Sequence, residues 1–508
     1  MTTCGNSGIA TILAAMRKAS SGFSPVIALD RKSGKPLHKQ VYEAFCVAIV
    51  GRNLRPGQRV PSSRALALEL RISRIPVLNA YSQLLAEGYF ETRAGSGTFV
   101  STSLPDQSMF PGRSPLVSTE VRPGLRLVSK RSALLPSYRS APWTGKWGAF
   151  IVGQLAFEHF PFRIWSSLLS RHIRNVRVTS LHYGDPMGSE SFRSTIATYL
   201  RTARAVNCDA SQIMIVSGSQ QALDLCARVL FNPGDRVWME EPGYWLARQV
   251  FAMAGCELVP VPVDEEGLQV SAGIAQSRKA RAAFVTSSHQ FPLGVTMSAS
   301  RRLQLLDWAH HSGSWIIEDD YDNEYRYESP PVASLQGLDR NSRVIYIGTF
   351  SKTLFPSLRL GYIVIPRDLI GRFLAVRQAM DIYPPHLFQA VLNDFIAEGH
   401  FARHIRRTRL VYSERRNVLV ETLKRELSTS VEVLGAEAGM HLVVTLPKGL
   451  RDRSLSEQAA LRDLWLWPLS GCYLGPARRQ GFILGFGSTS PRQISKAVAQ
   501  LRKVIESG

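Results

Sequence analysis

From Gly148 to the end of the chain, short apolar runs recur between stretches of helical spacing: Ile213–Val216, Arg236–Met239, Ala282–Thr286, Trp315–Ile317, Val344–Ile347 and Tyr362–Ile365. Runs this short and this rich in branched and aromatic residues can bury both faces inside a sheet. A helix between successive runs returns the chain to start the next strand in the same direction. The pattern predicts an α/β domain over residues 148–508 with a largely parallel sheet.

At 508 residues the chain is too long for one ordinary core, so at least two domains are expected. The net charge is +21, and residues 1–102 hold 13 Lys and Arg against 5 Asp and Glu. Residues 103–147 hold 7 against 2, which leaves +8 for everything after them. Such crowding of positive charge suits a phosphate-binding surface, although solubility alone would also account for it. Prolines 105, 111, 115, 123, 136 and 142 mark residues 103–147 as a linker, part extended and part docked. No apolar run is long enough to span a bilayer. The patch Ile9–Met16 lacks the preceding charges and the cleavage site of a secretory signal. Cysteines 4, 46, 208, 226, 256 and 472 are scattered, without metal-ligand spacing, so reduced thiols, no metal site and a cytoplasmic protein are expected.

Within the basic part, Leu37, Val41, Phe45 and Ile49 form one helical stripe that ends near Gly51. Pro61-Ser62-Ser63-Arg64 opens a second helix with the apolar face Leu66, Ala67 and Leu70. After Arg71-Ile72, Ser73 stands as the N-cap of a third, in which Val77, Ala80, Tyr81, Leu84 and Leu85 face inward up to Gly88. Two short β runs, Tyr89–Arg93 and Thr98–Val100, then flank Ala94-Gly95-Ser96-Gly97. These are the dimensions of a helix-turn-helix followed by a wing. With Pro56-Gly57, Pro61-Ser62-x-Arg64, Ser73-Arg74, Ala80-Tyr81, Gly88-Tyr89 and Gly95–Val100, the segment resembles the GntR family of regulators. The resemblance implies a winged DNA-binding domain over residues 25–102. It implies contacts to double-stranded operator DNA from Arg64, Ser73, Arg74 and the tip Gly95, Ser96, Gly97 and Thr98, in a protein associated with the nucleoid. Pro76 replaces a threonine usual in the family, and Arg71 occupies a turn position where glycine is common.

In the larger part, Gly348-Thr349-Phe350-Ser351-Lys352 follows an apolar strand and precedes Arg359-Leu360-Gly361-Tyr362. Lysine is seldom buried without a partner, and burial lowers its pKa and leaves its amine nucleophilic. Arg359 can grip a phosphate in a fork. Val216-Ser217-Gly218-Ser219-Gln220 leads a strand through a glycine turn into a helix, whose free N–H groups favour phosphate. Ile316-Ile317-Glu318-Asp319-Asp320-Tyr321 places carboxylates at a strand end, where one can keep a pyridine nitrogen protonated.

Together these motifs resemble the fold-type I, aspartate aminotransferase-like domain that binds pyridoxal 5'-phosphate, with a C-terminal α+β small subdomain. The whole chain is identified as similar to the MocR/GabR subgroup of GntR regulators. The resemblance implies that Lys352 forms the Schiff base, Asp319 pairs with the pyridinium nitrogen and Tyr321 bonds the ring hydroxyl. Asp320 is the alternative for the pyridinium partner, because adjacent side chains point to opposite faces of a strand. Thr349, Ser351, Arg359, Gly218, Ser219 and Gln220 would hold the phosphate. Tyr244 would stack on the ring, and Tyr183 would reach the phosphate of the other subunit in a homodimer. Departures bear on the effector. Phe291 stands where aminotransferases carry asparagine, Phe482–Phe486 lacks a carboxylate-clamping arginine, and Leu246 stands where GABA-responsive relatives have one. Arg248, Arg478 and Arg479 are possible substitutes but read better as surface charge, His310-His311 as solvated, and Trp465 and Trp467 as core. The expected function is a transcription regulator that answers a small amine or amino acid by exchange at Lys352, with at most partial or slow transamination. The alternatives are an active aminotransferase with a vestigial DNA-binding module, and a regulator that senses pyridoxal phosphate itself.

Overall fold

A computed structural model describes residues 25, 27–31, 33–103, 129–133, 135, 148–176, 178–327, 332–427 and 431–507. The chain divides into two units, Met1–Leu127 and Val128–Gly508. Ile9–Met16, Cys4 and the linker prolines lie outside the described residues. Within the expected linker, Lys130–Ala133 forms one helical turn that contacts the helix Trp245–Ala254.

The first unit has the predicted order. Helix α1 (Leu37–Val50) buries Val41, Phe45, Ala48 and Ile49. Helix α2 (Ser63–Glu69) begins where the Ser62 hydroxyl accepts from the Ala65 N–H at 3.2 Å, satisfying one of the donors a helix start leaves open. Helix α3 (Arg74–Ala86) has Ser73 at its N-cap, but that hydroxyl makes no capping bond. Pro76 falls in the first turn, where a missing N–H costs no helical hydrogen bond. Arg71, between α2 and α3, adopts φ +52°, which explains why glycine suits that position. Strands β1 (Phe90–Arg93) and β2 (Gly97–Val100) pair antiparallel, from Phe90 opposite Val100 to Arg93 opposite Gly97. The rings of Phe45, Tyr81 and Phe90 meet edge to face at 5.2–5.6 Å and fill the centre of this small core.

In the second unit an eight-stranded sheet runs in the order β3 (Ile213–Val216), β10 (Gly361–Val364), β9 (Val344–Thr349), β8 (Trp315–Asp320), β7 (Ala282–Val285), β4 (Arg236–Glu241), β5 (Glu257–Asp264) and β6 (Gly267–Leu268). The pairs from β9 to β5 are parallel, whereas β10 is antiparallel to both β9 and β3. Strands β3, β7 and β10 are buried throughout, as their apolar sequences require, and β8 is buried throughout although Glu318, Asp319 and Asp320 end it. Strand β5 is absent from the sequence-based expectation because Pro260 and Pro262 interrupt its run. Lying near the sheet edge, it tolerates both: residues of one parity turn their missing N–H away from β4.

A four-stranded antiparallel sheet follows, in the order β11 (Val433–Leu434), β12 (His441–Thr445), β14 (Gly481–Gly485) and β13 (Trp467–Pro468). The long helix His400–Leu427 packs along Pro491–Glu506 beside it. Among the described residues no helix is long and apolar enough to cross a membrane.

Candidate functional sites: a cavity at the strand ends and a basic winged surface

The sheet topology gathers one set of termini on one edge. Because β10 runs against both neighbours, Gly361 at its start lies opposite Val216 and Thr349 at the ends of β3 and β9. Arg359, just before β10, therefore shares an edge with Ser217-Gly218 and Ser351-Lys352, and Asp319 and Tyr321 reach the same edge from β8. Ligands in open α/β sheets bind at this carboxyl edge. A cavity of about 390 Å³ opens there, and Ser219, Gln220, Asp319, Thr349, Ser351 and Lys352 contribute to its polar lining. Tyr244, Tyr321 and Arg359 line it as well.

The electrostatics follow from burial. Lys352 is held below the ordinary lysine range by desolvation, against the opposing pull of Asp322 and Asp319. Burial raises the Asp319 carboxyl to about 7, although the Ser219 hydroxyl donates to it at 3.3 Å. Asp320 turns to the opposite face, where it accepts from the Tyr346 hydroxyl at 2.7 Å and lies 3.4 Å from Arg204. The Arg359 guanidinium donates to the Ser217 carbonyl, with residue 359 itself in the left-handed region at φ +49°. Gly218, at φ +94°, begins the helix Ser219–Leu230 with no side chain between it and that guanidinium. The buried Oε1 of Gln220 has no hydrogen-bond partner.

Tyr183 is not among the lining residues; it is 81 % exposed, and its ring meets that of Tyr383 at 5.8 Å. Arg248 is buried rather than on the surface: it donates to the Glu240 carbonyl at 3.0 Å and pairs with Glu241 at 2.9 Å. Arg478 and Arg479 are exposed and line a different depression with Lys448 and Arg451. His310 and His311 are exposed. Trp465 is core, but Trp467 lines the cavity and stacks on Trp245 at 4.3 Å and 16°.

Several features of the site escape sequence reading. Gly153 places its backbone against Lys352, so that a Cβ there would lie 2.5 Å from Nζ. His289 Nδ1 lies 3.1 Å from the Tyr321 hydroxyl and 3.1 Å from both carboxylate oxygens of Asp322. His441 joins them, its imidazole kept neutral by burial that lowers its pKa to about 3. Gly153, His289 and His441 lie far apart in sequence; the nearest signals are Tyr321, directly before Asp322, and Phe291, two residues after His289.

In the first unit, the starts of α2 and α3 meet: Arg74 Nε donates to the Ser63 hydroxyl at 3.1 Å. Arg64, Ser73 and Arg74 are exposed there, as are Gly95, Ser96 and Gly97 at the wing tip, with Thr98 half-buried. Arg59, which belongs to none of the sequence motifs, is exposed and passes under Gly97, where a Cβ would lie 3.2 Å from its Nε.

Comparison with known proteins agrees with both halves. Residues 37–100 match the family described as bacterial regulatory proteins, gntR family, and residues 156–480 match aminotransferase class I and II. The chain is 40 % identical over 480 residues to the "Probable rhizopine catabolism regulatory protein MocR" of Rhizobium meliloti, covering 94 % of this chain and 96 % of that one. It is 31 % identical to the HTH-type transcriptional regulator TauR of Rhodobacter capsulatus, with 92 % and 96 % covered. Among solved structures it resembles the Pyrococcus horikoshii kynurenine aminotransferase in complex with PMP, at 29 % identity and TM-score 0.69, over 75 % of this chain and 97 % of that one. The cofactor of such a domain is pyridoxal 5'-phosphate, and the residues present fit it. An unpartnered Gln220 oxygen, a helix start cleared by glycine and a forked guanidinium form a cradle for an anion beside a buried amine. The chain belongs to the MocR/GabR subgroup of GntR-family transcription regulators, DNA-binding proteins that join a winged helix-turn-helix to an aminotransferase-like domain.

Proposed function

We propose that this regulator senses a small amine or amino acid by exchange at Lys352, and that the exchange changes its affinity for operator DNA. Residues 25–102 form the DNA-binding domain in this reading, 103–147 the connection and 148–508 the effector domain. The observation that carries it is the convergence of Lys352, Asp319, Tyr321, Tyr244 and Arg359 on one cavity. Bound pyridoxal 5'-phosphate supplies an aldehyde carbon with which amines condense reversibly and a ring that withdraws electrons from it. Lys352 offers an amine that burial has made easier to deprotonate. Asp319 holds a proton at the pyridine nitrogen, and Tyr321, fixed by His289, bonds the ring hydroxyl. Thr349, Ser351, Arg359, Gly218, Ser219 and Gln220 hold the phosphate, and Tyr244 packs on the ring. The exposed Tyr183 completes the site of a second subunit, which makes the protein a homodimer.

Arg64, Ser73, Arg74 and the Gly95–Thr98 tip contact operator DNA, so the protein acts at the nucleoid. Coupling requires that the lysine-bound and effector-bound states differ in affinity for DNA; equal affinities would shift nothing. Exchange suffices for this, and sustained keto-acid production is not expected.

Absorbance of the purified protein before and after borohydride, with peptide mapping, tests the site. A visible band reduced onto Lys352 is expected; no band after addition of pyridoxal phosphate would overturn the reading. Operator affinity of Lys352→Ala tests the coupling, and an effector response equal to that of the parent protein would sink it.

A further inference from the structure

The wall of the cavity beyond the phosphate cradle is aromatic and uncharged. Trp245 stacks on Trp467 at 4.3 Å, the Phe291 ring lies 5.5 Å from Trp245, and Tyr244 closes on Phe291 at 5.6 Å. Leu246, Val152 and Met440 continue the apolar lining. The two indoles come from distant places, the start of the helix Trp245–Ala254 and strand β13 of the second sheet.

Charge on the lining is committed or negative. Among the described lining residues the basic side chains other than His441 are Lys352, whose amine takes part in the exchange, and Arg359, which belongs to the phosphate cradle. His441 is uncharged. The carboxylates of Asp319 and Asp322 face the same space. The arginines that could clamp a carboxylate are elsewhere: Arg248 is bound to Glu241, and Arg478 and Arg479 are on another surface. With Asp319 committed to the pyridine nitrogen, a carboxylate on the effector would leave water for a pocket that offers it the Asp322 carboxylate and no unengaged cation, which is costly.

From this lining we infer that the effector is a ring-bearing primary amine without a carboxylate, its ring packed on the Trp245–Trp467 pair. The inference rests on amine exchange at Lys352, and the test separates the two. An apolar or aromatic ring gains from the indole wall what a short polar chain cannot, and its protonated amine is attracted by Asp322 on entry.

The test is an absorbance titration of the full-length, cofactor-loaded protein with 2-phenylethylamine and with L-phenylalanine, which differ only in the carboxylate. O-methylhydroxylamine, which condenses with a lysine-bound cofactor aldehyde whatever the pocket prefers, serves as the reference. The amine is expected to shift the band at a concentration at least about tenfold below that of the amino acid, since each 1.4 kcal/mol of repulsion is a factor of ten. Trp467→Ala is expected to narrow the difference between 2-phenylethylamine and the ringless methylamine. A shift by L-phenylalanine at equal or lower concentration would overturn the inference. So would a band that moves with O-methylhydroxylamine and with neither probe. A band insensitive even to O-methylhydroxylamine would overturn the Lys352 reading itself, and this inference with it.

Discussion

Gly153 stands so close to Lys352 that the first atom of any side chain at position 153 would lie 2.5 Å from Nζ. The same glycine has φ +82°, a conformation that side chains disfavour. Two independent constraints thus meet at one residue, and only one of them concerns the amine. Gly153→Ala is expected to lose about 1 kcal/mol of stability from the backbone strain, a modest drop in Tm. The larger effect is on the lysine, which must move out of its position. The visible cofactor band should fall strongly in a protein that still folds; an undiminished band, reduced by borohydride onto Lys352, would contradict the packing.

Asp319 makes a prediction about pH. Its carboxyl titrates at about 7 in the folded, cofactor-free protein against 3.8 for the unreacted group. The folded state therefore holds the proton more tightly, and its stabilising contribution is complete only below about pH 3.8. That contribution is lost as pH rises to about 7 and stays lost above it. Asp319→Asn removes the titration. The stability of cofactor-free Asp319→Asn relative to the parent should rise between pH 4 and 7 and then level off, as urea denaturation at several pH values would show. Glu240, also raised to about 7 by burial, is present in both proteins and cancels in the difference. Cofactor affinity should move the other way, because the variant has no carboxylate to hold the pyridinium proton.

For the winged surface, the expected signature is salt dependence. Arg74 is exposed at the start of α3 beside Ser63, and Arg64 is exposed at the start of α2. An arginine on phosphate contributes about one to the slope of log affinity against log salt, whereas one on a base edge costs about 1–3 kcal/mol and relaxes specificity at one position. Arg74→Ala and Arg64→Ala should each weaken operator binding by at least about tenfold, and Arg59→Ala should lower the salt slope by about one. Binding isotherms over a range of salt concentrations decide, and unchanged slopes and affinities in all three would remove this face from the DNA interface.

What was legible in the sequence shares a physical property: it is local. Gly348–Lys352, Val216–Gln220 and Glu318–Tyr321 each sit at a strand end, so a run of apolar residues next to a chemical group announces both the element and the site. The choice between Asp319 and Asp320 reduces to strand alternation, and the two carboxylates do face opposite sides. What was not legible depends on residues brought together from afar. Trp245 and Trp467 become a stacked pair only when a helix of the large sheet meets a strand of the small one, and Trp467 alone reads as core. Arg248 reads as surface charge because Glu241, seven residues away, becomes its buried partner only once β4 and the following helix have folded. Gly153 carries no local signal at all.

The core of the first unit offers the sharpest test that the DNA-binding fold stands on its own packing. Phe45 from α1, Tyr81 from α3 and Phe90 from β1 meet edge to face, and Phe45 is fully buried. Its removal deletes contacts to both other rings at once, and a phenylalanine-to-alanine change in a core costs about 3–5 kcal/mol. A core this small supplies only about that much net stability. Phe45→Ala should therefore unfold the unit and abolish operator binding at 37 °C. None of the nine tryptophans lies in residues 25–103, so tryptophan fluorescence reports the second unit alone. Every residue of the core that contains Phe45 belongs to the first unit, and the second has its own. The fluorescence-detected denaturation midpoint of Phe45→Ala should thus match that of the parent while DNA binding is lost. Operator affinity within tenfold of the parent protein would show that the triad does not hold this unit together.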